Sequence, residues 1–285
     1  MKKLFTLPLI FFAMEGLAQQ QSAPTTTTTT VNTVVKPKSN VGFLAISAVD
    51  MSASDIRDRN SHAAVNTTNA LGLTYKTSET TKWGFRQYFT YTRDSDSGSK
   101  FERSNSVVTY SFKTPGLLGS DEIVPLVWFY LPVTDKAIAE RSNGKFRLTA
   151  YVNWTLNPRW SVTYFLDPRQ GFTPQSISQD GKEKFSHTTL IHGVSLSYSL
   201  SDNVSFYQGI GTTEDWRTSS LSLLDETLDI STGMYVTVGP VLFVPDITNS
   251  VATRQNGLRP DSRSLQSSLY RAEEVTYSVS MLASF

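Results

Sequence analysis

A chain of 285 residues with 26 lysines and arginines against 25 aspartates and glutamates has a formal net charge of +1. That balance offers no field with which to hold a polyanion, so no nucleic-acid partner is expected. The absence of cysteine excludes a disulfide scaffold and a lipidated cysteine anchor.

The first element reads as a targeting segment. Basic Lys2 and Lys3 precede the apolar stretch LFTLPLIFFAM, and EGLA then places Gly16 and Ala18 where a signal peptidase prefers small residues. The stretch is too short to span a bilayer comfortably. A signal peptide over residues 1–18, cleaved after Ala18, is therefore expected. Residues 19–40, QQQSAPTTTTTTVNTVVKPKSN, form a low-complexity, Thr-rich segment expected to be an extended periplasmic tail.

From residue 41 the apolar residues recur with a period of two, which means strands. WGFRQYFTYT sets Phe85, Phe89 and Tyr91 against Arg86, Tyr88 and Thr90. FRLTAYVNWTL sets Leu148, Ala150, Val152 and Trp154 against Arg147, Thr149, Tyr151 and Asn153. About twelve strands are expected, near 41–50, 70–77, 83–93, 105–113, 124–132, 146–156, 160–167, 188–200, 204–212, 227–238, 241–249 and 274–285. The alternation is weakest in VPLVWFYL and VLFVPDI.

Connections alternate in length. SETTK, NPR, SDN and Gly239-Pro240 are turn-like, whereas 51–69, 94–104, 133–145, 168–187, 213–226 and 250–273 are long and hydrophilic. Only the connection near 114–123 is longer than its class. Short turns at one end and long loops at the other is the layout of barrels that cross a membrane with strands. Hydrocarbon leaves no backbone N–H or C=O unpaired, so the last strand must pair with the first.

The final strand, VTYSVSMLASF, has Tyr277, Val279, Met281 and Phe285 on one face and Ser278, Ser280 and Leu282 on the other. With the N-terminal segment and the strand count, this end resembles the Gram-negative outer-membrane β-barrel class. The resemblance spans nearly all of residues 41–285. It implies an all-β fold, a transmembrane up-and-down antiparallel barrel in the outer membrane, bathed in lipid and lipopolysaccharide. It also implies that Tyr277, Val279, Met281 and Phe285 form the C-terminal signal read by the barrel assembly machinery. Ala283 departs from that pattern, where an aromatic is common. Trp83, Trp154 and Trp160 adjoin predicted short turns and are expected to form an aromatic girdle.

Function has to come from the lumen, because one architecture serves many activities. Residues sharing the hydroxyl face are mostly Ser, Thr, Gly and Tyr, with few charges: Arg86, Lys113, Arg147, Asp167 and Asp229. These five are the expected pore-lining residues of a narrow, porin-like channel for small solutes. The alternative is a structural or adhesive barrel whose inward charges pair with one another. A lipid hydrolase is the rival from another class, with His192 on the lipid side, but Val194 stands where the nucleophilic serine would. No cofactor and no metal site is expected. DSDSG at 94–98 lacks the spacing and closing Glu of a calcium loop, and GIG at 209–211 reads as close strand packing.

Overall fold

The computed structural model describes residues 40–52, 65–94, 98–134, 138, 143–172, 187–217, 221–260 and 275–285. The expected signal peptide, nearly all of the Thr-rich tail and most of DSDSG lie outside these residues.

The described residues form β1 (Val41–Ser52), β2 (Val65–Lys76), β3 (Thr81–Asp94), β4 (Gly98–Phe112), β5 (Thr114–Pro115), β6 (Glu122–Leu131), β7 (Lys145–Thr155), β8 (Trp160–Gly171), β9 (His187–Ser201), β10 (Val204–Arg217), β11 (Ser222–Val238), β12 (Val241–Arg254) and β13 (Val275–Ser284). All belong to one antiparallel sheet. Its order runs from β4 back through β1, on to β13, and down to β5, and β4 also pairs with β6. The sheet is therefore closed, with twelve long strands and β5 as a two-residue spur.

The expected seam is present. β1 and β13 pair from Leu44↔Ser284 to Ser52↔Thr276, and Phe43 and Phe285 exchange two backbone hydrogen bonds of 2.9 and 3.0 Å. Each of the twelve long strands thus has a partner on both sides in the described sheet, as hydrocarbon requires. The long connection after β4 is accounted for by β5 and a turn in which Leu118 and Gly119 take positive φ. No helix among the described residues is long and apolar enough to cross a membrane, which says nothing about a barrel that crosses with strands.

Several strands run further toward the long-loop end than the period suggested. β4 begins at Gly98, β8 continues to Gly171, β10 to Arg217 and β12 to Arg254, while β2 and β11 begin at Val65 and Ser222. These extensions carry polar residues on both faces, with Phe101, Trp216 and Val251 among them. A ladder of backbone hydrogen bonds does not need an apolar face once the sheet has left hydrocarbon, so no alternation marks it.

Outward residues form a broad apolar band. Phe43, Leu71 and Val279 are 61%, 64% and 51% exposed, and Phe85, Leu196 and Ile210 are exposed as well. A soluble monomer does not leave a contiguous band of this size to water. Inward, toward the turn end, Leu44, Ile46, Ala48, Ala70, Leu242, Val244 and Leu282 pack into a buried cluster with Tyr207 and Tyr235. Glycines make room for the inward aromatics. A Cβ on Gly233 would stand 2.7 Å from the Tyr207 ring, and one on Gly193 would stand 2.8 Å from Phe165.

Candidate functional site: the barrel lumen

Two differently charged walls face each other inside the barrel. The first is built on β3 and β6–β8. Trp128, Arg147, Arg169, Thr189 and Asp215 lie along one row of paired residues from β6 to β10. The guanidinium carbons of Arg147 and Arg86 lie 4.2 and 4.8 Å from the Trp128 ring centre, close enough for cation–π attraction. Arg147 Nε donates to Asp167 Oδ1 at 2.8 Å, and its Nη1 donates to the Tyr130 hydroxyl at 3.0 Å. Arg169 Nε donates to Asp167 Oδ2 at 2.8 Å, and Thr149 donates to Oδ1 at 3.1 Å. Asp167 is fully buried, and Arg86 and Arg147 are each 5% exposed. An ion set this dry holds only if its charges are paired and hydrogen-bonded.

The second wall is built on β10–β13 and β1. Tyr207 lies over Gly233 and stacks on Tyr235 with ring centres 4.6 Å apart. Its hydroxyl donates to Asp246, whose other oxygen accepts from Thr248 at 2.6 Å. Asp229 accepts from Thr213 at 3.3 Å. Asp50 lies further round, opposite Ser278.

Between these walls, Thr163 of β8, Ser195, Ser197 and Ser199 of β9 and Ser205 of β10 point inward and stay partly exposed. They are short, so this arc of the bore is not filled by its own side chains.

Four of the five expected lumen residues, Arg86, Arg147, Asp167 and Asp229, are inward and buried. Arg147 and Asp167 are in direct contact, Arg86 joins them through Trp128, and Asp229 stands apart on the acidic side. Lys113 is placed differently. It follows β4 at the turn end, where its backbone N–H still donates to Thr80 at 2.9 Å, and its side chain pairs with Glu122 at 3.2 Å. Asp50, Asp246, Arg169, Trp128 and Tyr130 were not singled out from the sequence. Asp50 and Asp246 share parity with Leu44, Ile46, Ala48, Leu242 and Val244, so an apolar stretch of lumen disguised their face. Arg169 fell in a segment read as loop.

The three tryptophans are outward at the turn end. Trp83 packs at a tilt against Tyr110 with ring centres 4.6 Å apart, and Trp160 against Tyr198 at 4.7 Å, and Trp154 pairs in register with Val162. Tyr277 and Val279 are exposed outward on β13 with Met281, and Phe285 is 70% exposed. His192 also faces outward. Its Nε2 lies 2.9 Å from Thr212 Oγ1 and 3.7 Å from Glu214 Oε1. Hydroxyl and carboxylate thus meet the same ring nitrogen, whereas a relay needs them on opposite nitrogens. Among the described residues, no group of three or more His, Cys, Asp and Glu stands together as a metal site.

No protein-family model matches the chain, and no curated protein matches it. Among solved structures it is similar to an outer membrane channel from Pseudomonas putida F1, with a TM-score of 0.59 at 13% identity, covering 90% of this chain and 100% of that one. It also aligns with the KdgM porin, with a TM-score of 0.46 at 9% identity, covering 85% and 99%. The first likeness establishes the fold, which is that of outer-membrane β-barrels.

Proposed function

We propose that the protein is an outer-membrane channel for small solutes, with the path running along the hydroxyl-lined arc between the arginine wall and the acidic wall. The observation that carries this reading is the accessibility of inward Thr163, Ser195, Ser197, Ser199 and Ser205 in a barrel whose other inward side chains are largely buried. Short hydroxyl side chains hydrogen-bond water and leave it room, as a conducting bore requires. In this reading the chain is exported by its N-terminal signal peptide, and the short turns and the Thr-rich tail lie in the periplasm. The long loops meet lipopolysaccharide, and Tyr277, Val279, Met281 and Phe285 are read by the assembly machinery. Arg86, Arg147, Asp167 and Asp229 shape the narrowest level, while Lys113 stands at the periplasmic rim. It is a conduit and not an enzyme, since His192 lacks the geometry of a base that activates a nucleophile.

A second reading is favoured by the buried Arg147–Asp167–Arg169 set: a barrel held rigid by its own ion pairs that displays loops without conducting. Planar-bilayer recording separates the two. The channel reading expects discrete conductance steps from purified, refolded protein. Silence in preparations shown to be folded and inserted overturns it.

A further inference from the structure

Across the closing seam, Ser278 of β13 is register partner to Asp50 of β1 on one side and to Asp246 of β12 on the other. All three side chains face the lumen and are buried, at 4%, 8% and 4% exposure respectively. Asp246 has a hydrogen bond on each oxygen, from Thr248 and from Tyr207. Asp50 Oδ2 is buried without a hydrogen-bond partner, and so are the hydroxyls of Ser278 and of Ser280, the next inward residue of β13. The arginines lie on the other wall, and no ion pair among the described residues reaches Asp50 or Asp246. Two carboxylates held out of water around a serine, with no cation to offset them, form a costly arrangement. Orphaned buried oxygens on neighbouring register positions of one sheet face point to something that binds them.

We propose that Asp50, Asp246 and Ser278 form an all-oxygen calcium site that bridges β1, β13 and β12 at the seam. Strands two apart in a sheet are separated by about 10 Å at the backbone. From that separation the two aspartates would lean over Ser278 to share one ion, whose ligand distances are roughly 2.4 Å. Asp50 supplies the open carboxylate, Asp246 a lone pair left on an oxygen that already accepts a hydroxyl, and Ser278 a neutral oxygen between them. The donors include no nitrogen or sulfur, which disfavours zinc and later transition metals. The mixed, irregular set suits calcium better than magnesium, which demands near-octahedral geometry. The ion would offset both carboxylates and tie the first strand to the last two, stabilising the closure on which the barrel depends.

The test uses full-length, folded protein stripped with chelator and then titrated with calcium chloride, reading the unfolding midpoint. Terbium luminescence excited through tyrosine gives a second readout, because Tyr207 bonds Asp246 and stacks on Tyr235. Calcium is expected to raise the midpoint of wild type, and terbium emission to appear and be displaced by calcium. Asp50→Asn is expected to weaken both by about tenfold or more. Ser278→Ala, which keeps both carboxylates, is expected to weaken them less and serves if Asp50→Asn does not fold. An equal calcium response in wild type and both variants overturns the site and assigns the response to lipid or loop carboxylates. Absence of any response in wild type overturns it too. So does Asp50→Asn that is as stable without calcium as wild type is with it.

Discussion

Arg147 and Asp167 meet across the β7–β8 pair at 2.8 Å, with side chains 6% and 0% exposed. The same carboxylate takes Arg169 Nη2 at 2.6 Å. The pair is thus two members of a three-residue set whose charges depend on one another.

Removing the shared carboxylate should be severe. Asp167→Asn leaves two arginines facing each other in a dry interior, and a loss of about 3–5 kcal/mol in unfolding free energy is expected. Replacing all three members with apolar residues of similar size should cost much less, because no charge is then stranded. Urea titration of the protein folded in lipid vesicles checks both. A triple variant weaker than Asp167→Asn would contradict the argument.

Tyr207 occupies space that a side chain at position 233 would need. Gly233→Ala sets a Cβ 2.7 Å from that ring and 2.6 Å from the Pro245 carbonyl oxygen. A destabilisation of about 1–3 kcal/mol is expected from overpacking, with loss of the Tyr207–Asp246 bond visible in tyrosine fluorescence. The same substitution at Gly98, where nothing lies within 4 Å but φ is +77°, acts through backbone strain alone and should leave tyrosine emission unchanged.

The fold was legible in this sequence to the extent that hydrocarbon dictates alternation. Outward Phe85, Leu148 and Val279 face lipid and inward Arg86, Thr149 and Ser280 do not, so a period of two, the strand count and the seam follow from the residues alone. The lumen was less legible because its solvent is not uniform. Leu44, Ile46, Leu242 and Val244 make an apolar core inside the barrel, so β1 and β12 are greasy on both faces and hide Asp50 and Asp246. Contacts such as Arg147 with Trp128 depend on register across strands, which one strand's pattern does not contain.

The seam can be locked covalently, since the chain has no native cysteine. Leu44 and Ser284 are opposite partners, adjacent to the hydrogen-bonded Phe43–Phe285 pair and within disulfide reach. Leu44→Cys with Ser284→Cys should oxidise to a single intramolecular bridge in folded protein, changing mobility on a non-reducing gel, and should not do so in urea. Leu44→Cys with Ser201→Cys, on a strand that β1 does not touch, should stay reduced.

Charge on the arginine wall should bias conduction. Arg86→Ala together with Arg147→Ala is expected to move the reversal potential in a salt gradient toward cation preference, because two positive charges are removed from the lumen while Asp167 and Asp229 remain. An unchanged reversal potential in a folded variant would remove both arginines from the ion path.

The most direct measurement compares two adjacent positions of β9. Ser195 points into the bore, and Val194, 41% exposed, points to lipid. Cysteine at each, treated with a charged thiol reagent during bilayer recording, asks whether ions pass through the hydroxyl-lined arc. The account expects the conductance of Ser195→Cys to fall on modification while Val194→Cys is unaffected. Conductance that is insensitive at 195, or that responds at 194 instead, would contradict it.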